Sequence, residues 1–411
     1  MKHFPEFERF CDLADGDADL VPVYRRLVSD SLTPVSAFHK LDAGRCSCLA
    51  ESVVGGEKVG RYSFLATHPF LEIEAYANRV TISSHTGVSA SGEPILETRQ
   101  FATADPLKEL RQRIESVRAA TLPELPPFCS GAVGYAGYDT VRYVEHLPNA
   151  PADDRQVPDL AFAFYDQMVV FDNVTKTIVV VAMARLDRAG GDRRRAYETA
   201  CRRVDEIVER LGARSGELKP VDIDTSGETR LAWQSNIARE DFEAAVRKCV
   251  EYIKAGDIFQ VVFSQRLEVP IRSHPFQIYR TLRVVNPSPF MFYLRTPGVT
   301  LVGSSPEIMV RVVNGQITTR PLAGTRPRGK TEEEDRRLGE ELLADPKECA
   351  EHVMLVDLGR NDVGRVSEYR SVNVTDVMTI ERYSHVMHIT SNVTGHLSPG
   401  KTAFDALQSC L

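Results

Sequence analysis

The sequence predicts an α+β protein built on large antiparallel β-sheets, and three observations carry that expectation. Short runs that alternate in polarity or stay apolar recur through the chain, bounded by Gly, Pro, Asn and Asp. Several are joined by tight-turn dipeptides, Asp172-Asn173 and Asn314-Gly315 among them, as hairpins require. Amphipathic helical stretches stand between these hairpins, which points to antiparallel ladders with helices packed on them.

In chain order, residues 6–13 and 20–27 read as a short helical lead-in. Strand-like runs follow at 36–41, 46–54, 62–67 and 70–82, with Gly55-Gly56 as a turn. Residues 106–119 form a helix candidate, and 161–171 with 177–186 form a hairpin through Asp172-Asn173. Residues 193–211 carry Tyr197, Cys201, Val204, Ile207 and Leu211 at helical spacing. The polar stretch 212–227 reads as a linker, dividing an N-terminal region (1–220) from a C-terminal one (228–411). Beyond it come a helix at 239–255, a strand at 258–268, a helix at 276–285 and strands at 289–295 and 300–302. Residues 308–313 and 316–319 flank Asn314-Gly315 as a hairpin; helices follow at 331–343 and from Pro346, then strands at 372–379 and 385–393. Residues 402–411 place Phe404, Leu407 and Leu411 on one helical stripe that runs to the last residue, a pattern that reads as a helix cut off.

The 411 residues (45.8 kDa) are 43% hydrophobic and 26% charged, enough for a large core and for more than one domain. A net charge of −7 gives no broad surface for nucleic acid or anionic membrane, and no apolar run approaches a membrane span. Eight cysteines without a Cys-x-x-Cys pair suit neither a disulfide framework nor a zinc ribbon; Cys46 and Cys48, on one face of a strand, read as core thiols. The acidic N-terminal stretch lacks an apolar signal core, so a reducing cytoplasm is the expected location.

Four motifs could carry chemistry. Gly324–Thr331 is a literal G-x-x-x-x-G-K-T, yet Pro327 removes a backbone donor and Glu332, Glu333, Glu334 and Asp335 follow where phosphates would sit. A nucleotide loop is therefore not expected. Asp345-Pro346 opens a helix with Glu348 three residues after the Asp, a capping-box-like start, and Glu351 falls on nearly the same face. Such a carboxylate pair suits a hard cation such as Mg2+, although spacing alone favours a solvated face. His385 and His388, three apart in a strand, point to opposite faces and cannot share a metal there. Gly131, Gly134 and Gly137 do not fit a dinucleotide fingerprint and read as turns and close backbone packing, and no Gly-x-Ser-x-Gly elbow is present.

Longer strings add a resemblance. Residues 256–266 (GDIFQVVFSQR), 286–293 (NPSPFMFY), 304–307 (SSPE), 321–329 (PLAGTRPRG), 347–362 (KECAEHVMLVDLGRND) and 384–391 (SHVMHITS) closely resemble the chorismate-utilising enzymes, specifically the large subunits of anthranilate synthase. The resemblance runs from about Ser36 to the end of the chain. It implies that family's fold, with two large antiparallel sheets packed as a sandwich and helices outside. It also implies a lyase activity that converts chorismate and ammonia to anthranilate and pyruvate, the first step of tryptophan biosynthesis, in a site holding one Mg2+.

By position, Glu351 matches the family's Mg2+ ligand, Glu307 its general acid for the departing 4-hydroxyl, Gly324 and Thr325 its substrate-contacting pair, and His388 its active-site histidine. Gln260 stands where relatives that add water carry a Lys, and Ala323 where aminodeoxychorismate synthase carries one. Residues 49–52 (LAES), with Glu51 and Ser52, and Pro289, Phe290 and Met291 resemble the elements that bind tryptophan as feedback inhibitor; Ala50 and Phe290 depart from the commoner Leu and Tyr. The family's ammonia comes from a glutamine amidotransferase small subunit, whose Cys-His-Glu set is not recognisable here. Family members continue past the position of Leu411 with a segment bearing a second Mg2+-binding Glu and substrate-carboxylate donors, so the chain reads as C-terminally truncated and weakly active or inactive alone. The alternatives are an inactive tryptophan-sensing or partner-binding module and the sibling aminodeoxychorismate synthase.

Overall fold

The computed structural model describes residues 2–28, 30–42, 44–53, 60–89, 94–186, 191–213, 218–223 and 231–411. The expected Gly55-Gly56 turn and much of the stretch 212–227 lie outside these residues. The first part runs α1 (Phe7–Ala14), β1 (Leu20–Val28), α2 (Pro34–Leu41), β2 (Ser47–Glu51), β3 (Tyr62–Thr67), β4 (Leu71–Tyr76), β5 (Arg79–Val88), β6 (Pro94–Ala102), α3 (Pro106–Glu115), β7 (Gly131–Ala136), β8 (Leu160–Tyr165), β9 (Gln167–Asp172), β10 (Thr177–Arg185) and α4 (Arg193–Gly212). Then come β11 (Gln234–Ser235), α5 (Arg239–Ala255), β12 (Leu267–Glu268), α6 (Pro275–Val285), β13 (Phe290–Arg295), β14 (Thr300–Ser305), β15 (Arg311–Val313), β16 (Gln316–Thr319) and β17 (Leu322–Pro327). The chain ends with α7 (Glu332–Ala344), α8 (Pro346–Gly364), β18 (Asn373–Arg382), β19 (Val386–His396) and α9 (Ala403–Ser409). Among the described residues no helix is long and apolar enough to cross a membrane.

Two compact units result, residues 1–219 with 279–411, and residues 220–278. The larger unit takes strands from both sides of the 212–227 stretch. Its seven-stranded sheet has the order β1-β10-β9-β3-β2-β13-β14, so two late strands complete an early sheet. A five-stranded sheet, β6-β5-β4-β8-β7, packs against it through Cys46, Cys48, Met168, Val170 and Val181 on one side and Ala163 and Tyr165 on the other. In the third sheet β19 is central, with β18 along one edge and β16 and β17 sharing the other. The named ladders are all antiparallel, so the α+β class of packed antiparallel sheets holds. Helices cover the sheets: α4 buries Ala196, Ala200, Val204, Ile207 and Leu211, α7 and α8 lie on β17 and β19, and α9 docks through Phe404 and Ala406.

Five local expectations change. Residues 20–27 are strand β1, paired along its whole length with β10; Leu20–Tyr24 is buried at every position, so its apolar run has no alternation to mark it as a strand. Residues 36–41 are helix α2, opened by Pro34 and a capping box in which Thr33 and Ser36 satisfy each other's backbone N–H. The run 70–82 is two strands, β4 and β5, that reverse at Ala77-Asn78. Residues 161–171 are also two strands, β8 and β9, placed in different sheets. Of residues 258–268 only Leu267–Glu268 form a strand, paired with β11; along 258–266 no ladder partner runs among the described residues, and a β-pattern without a partner makes no strand.

Gly134 shows why β7 is so rich in glycine. A Cβ there would stand 2.0 Å from the carbonyl oxygen of Ala161 on β8, so the two backbones close up only without a side chain. Gly134→Ala is expected to lower unfolding free energy by about 1–3 kcal/mol, the usual cost of overpacking, as read from urea denaturation.

Candidate functional site

The site begins with an irregularity between two strands. β17 pairs with β19 in register from Leu322 to Ala323 and again from Thr325 to Pro327, and Gly324 is the residue where the register shifts. Gly324 has φ +67°, a left-handed conformation open to glycine at little cost. Its carbonyl oxygen lies 2.9 Å from Nδ1 of His388 on β19, and Thr325 Oγ1 lies 3.1 Å from the same nitrogen. A carbonyl can only accept, so Nδ1 carries the proton and donates; in the neutral ring Nε2 keeps the lone pair. The two histidines bond to different partners, but not through the strand period expected for them, because only His388 lies in β19. His385 precedes β19 and donates from Nε2 to Val285 O at 2.9 Å.

Gly324 also sets the floor beneath a carboxylate. A Cβ at this position would come within 3.1 Å of Leu342, 3.2 Å of Ile389 and 3.3 Å of Glu348 Oε2. Glu348 is brought there by the start of α8, where the Asp345 side chain accepts the N–H groups of Lys347 and Glu348, and Pro346 takes the first helical position. Arg326 from β17 clamps this corner, donating to Asp345 at 2.9 Å with Glu348 at 3.9 Å. Glu351 follows three residues later on α8, on nearly the same face. His352, beside it, is fully buried and lies 2.7 Å from Ser391 Oγ on β19; burial pushes its imidazole below the ordinary histidine range.

Glu307 follows β14 by two residues and retains solvent exposure. Burial of its carboxyl nevertheless pushes it above the ordinary range, with the positive charge of His388 opposing. Tyr383 joins the two. Its ring centroid lies 5.6 Å from that of His388, its hydroxyl donates to Glu381 at 2.8 Å, and Arg320 is ion-paired to the same Glu381. The Tyr383 hydroxyl is raised chiefly by burial, with the charge of Glu307 adding to it and Arg320 opposing. Sequence reasoning missed Tyr383, Glu381 and Arg320: they converge only because β18 and β19 pair Glu381 with His388.

Among the described residues no three His, Cys, Asp or Glu side chains gather into a closed metal cage. Glu348 and Glu351 stand three residues apart on α8, and two carboxylates are the kind of donor that suits Mg2+, which takes one or two from a protein and keeps several waters or ligand oxygens. The apparent nucleotide loop is occupied by protein carboxylates. Gly329 donates to Asp335 Oδ1 and Lys330 to Glu334 Oε2, each at 2.8 Å, while Arg328 and Arg382 close on Asp335. These bonds hold the Asp335 carboxyl far below its ordinary range, and no empty cradle of N–H groups remains for a phosphate.

The residues of the second predicted site lie along neighbouring strands. Glu51 of β2 sits directly opposite Met291 of β13, and Val53 N–H donates to Ser288 O at 3.3 Å, so Glu51, Ser52, Pro289, Phe290 and Met291 share one strand junction. Glu51 is 4% exposed; Tyr279 donates to it at 2.5 Å and Arg283 pairs with it at 2.9 Å, both from α6. Burial raises the Glu51 carboxyl despite these two partners. The i,i+4 pair Tyr279 and Arg283 was readable as one helix face but carried no sign of its target. Gln260 belongs to the unit 220–278, in irregular chain between α5 and β12.

Residues 52–411 match the family described as chorismate binding enzyme. The chain is 44% identical over 397 residues to anthranilate synthase component 1 of Acetivibrio thermocellus, covering 96% of this chain and 78% of that one. It is 43% identical over 406 residues to the protein of the same name from Pseudomonas aeruginosa, covering 98% and 80%. The crystal structure of anthranilate synthase component I from Streptococcus pneumoniae superposes with a TM-score of 0.70 at 34% identity, covering 94% of this chain and 79% of that one. The menaquinone-specific isochorismate synthase of Escherichia coli, at 13% identity and a TM-score of 0.55, shares the fold alone. The left-handed glycine under Glu348, the tethered His388 and the strand junction at Glu51 thus stand in a chain that belongs to the chorismate-binding enzymes, and within them to the anthranilate synthase component 1 family.

Proposed function

We propose that this chain acts as the large subunit of an anthranilate synthase, a lyase that converts chorismate and ammonia to anthranilate, pyruvate and water at the entry to tryptophan biosynthesis. The observation that carries this reading is the convergence of Glu307, His388, Gly324 and Glu348 in a chain 44% identical to proteins of that name. Loss of the 4-hydroxyl from the ring needs a proton donor, and Glu307, whose carboxyl is held above its ordinary range, keeps its proton to higher pH than an ordinary glutamate. Release of pyruvate needs a base for the ring proton. With Nδ1 committed to Gly324 O, Nε2 of His388 is the nitrogen that can accept it.

Gly324 and Thr325 lie against this histidine, where small size leaves room for a ring. Glu351, with Glu348, would hold a Mg2+ ion, which when bound offsets the charge of the substrate carboxylate. Gln260 offers an amide rather than an amine, suited to ammonia as nucleophile. Ala323, 7% exposed, gives no nucleophile for the covalent chemistry of the aminodeoxychorismate sibling. In this reading ammonia comes from a glutamine amidotransferase partner in the cytoplasm, and tryptophan binds at Glu51, Ser52, Pro289, Phe290 and Met291 as feedback inhibitor.

Incubation of the folded full-length protein with chorismate, ammonium salt and Mg2+ is expected to yield anthranilate fluorescence; none from that protein would overturn the proposal. Glu307→Gln is expected to lower kcat about 10²–10⁴-fold, the usual worth of a general acid. Because the folded carboxyl is raised, the acid form persists below that raised value, and kcat should fall as pH climbs through it. His388→Gln removes the opposing positive charge, so the Glu307 titration followed by carbon-13 NMR should move to higher pH. Tryptophan at a hundred times its Kd should stabilise the chain by about 2.7 kcal/mol, seen as a rise in Tm, and Glu51→Gln should shrink that rise.

A further inference from the structure

α8 turns a face toward the third sheet on which His352, Gly359 and Val363 are buried. Gly359 sits close to the sheet, where a Cβ would stand 3.0 Å from Thr319 Oγ1, and Val363 is 1% exposed; both are packing contacts without direction of their own. His352 is different, because a polar ring at a core position costs desolvation unless it is matched by a hydrogen bond. It is fully buried, and Nε2 stands 2.7 Å from Ser391 Oγ, itself 1% exposed. Ser391 is anchored in turn, since its oxygen accepts the Met378 N–H at 2.9 Å where the β18–β19 register shifts between Thr375 and Thr379. Ser391 Oγ has one donor proton and a second lone pair left for Nε2, so the pair is joined in either tautomer, while Nδ1 has no hydrogen-bond partner among the described residues. A core leucine would fill this space without an orphaned polar atom, so the imidazole serves direction rather than packing.

The pin lies between the parts of the catalytic cluster. Ser391 is three residues from His388 on β19; Glu351 is the residue before His352, and Glu348 is four before it, one turn along α8. We propose that His352 is a positioning residue: its buried hydrogen bond to Ser391 fixes the rotation of α8 against β19, and so the direction in which Glu348 and Glu351 present their carboxylates to a divalent cation. The proposal rests on the reading of Glu351 as a cation ligand.

The test is Mn2+ binding to the whole ligand-free chain, followed by loss of the electron paramagnetic resonance signal of free aqueous Mn2+, with Tm measured on the same samples. The reference is wild type against Glu351→Gln, which should bind markedly more weakly. His352→Leu and Ser391→Ala should each raise the Mn2+ Kd about 10-fold or more in a folded protein, the lower range for lost outer-shell support. His352→Gln, whose amide can reach Ser391 as Nε2 does, should restore wild-type affinity. Wild-type Kd in folded His352→Leu or in Ser391→Ala overturns the pin. If His352→Leu does not fold, Ser391→Ala decides alone, because it leaves the imidazole in place. Mn2+ uptake unaffected by Glu351→Gln overturns the cation reading itself and the pin with it, a failure visible before any His352 variant is compared.

Discussion

The candidate active site depends on one backbone constraint, the left-handed turn at Gly324 within the β17–β19 ladder. It interrupts the register by one position, which frees a carbonyl to hold the His388 ring instead of continuing the ladder. It also removes a side chain from the spot that Glu348 occupies. Bulges beside active sites re-aim side chains in this way, and here one residue does so on both faces of the strand. Any other residue there would be strained by the positive φ, and its Cβ would crowd the side-chain ends of Leu342, Ile389 and Glu348.

The strand junction at Glu51 is linked to this region through α6 and the β13–β14 hairpin. The N-terminal part of the chain contributes β2, on which Glu51 is buried; α6 contributes the phenol and guanidinium that hold it. The end of the same helix accepts His385 through Val285 O, and Asn286 O accepts Ser304 Oγ at 2.7 Å. Ser304 lies opposite Met291, and the strand then runs to Glu307. A ligand that displaced Glu51 from Tyr279 and Arg283 would therefore act on a helix whose other end touches both the histidine strand and the approach to Glu307. The price of that arrangement is a buried carboxylate, raised by desolvation even with two partners.

What the sequence disclosed follows from where each signal resides. Hairpins marked by Asp172-Asn173 and Asn314-Gly315, and helices with caps such as Asp345-Pro346, are local and legible. Strand β1 looks helical in sequence because burial on both faces removes alternation, and α2 looks like a strand because its helix signal is confined to the Thr33-Pro34 start. Residues 258–266 fail for the opposite reason, since a correct β-pattern needs a neighbour to become a strand. The site residues were legible as strings through the family resemblance. Their partners Tyr383, Glu381, Arg320, Tyr279 and Arg283 were not, because each meets its target through pairings between segments far apart in sequence.

The opposition between Glu307 and His388 sets the limits on chemistry in this site. Each positive charge on the imidazole favours the ionised form of the glutamate, and burial favours the neutral form; burial prevails. A general acid beside a base is useful only if the acid keeps its proton while the base lacks one. The Gly324 carbonyl helps by fixing which nitrogen of the neutral ring is protonated, and Tyr383, tied to Glu381 and Arg320, limits how far the ring can turn. In the proposed reading, burial keeps the proton on Glu307 while the Gly324 carbonyl fixes the His388 tautomer, the division of roles that an acid and a base in one elimination would need.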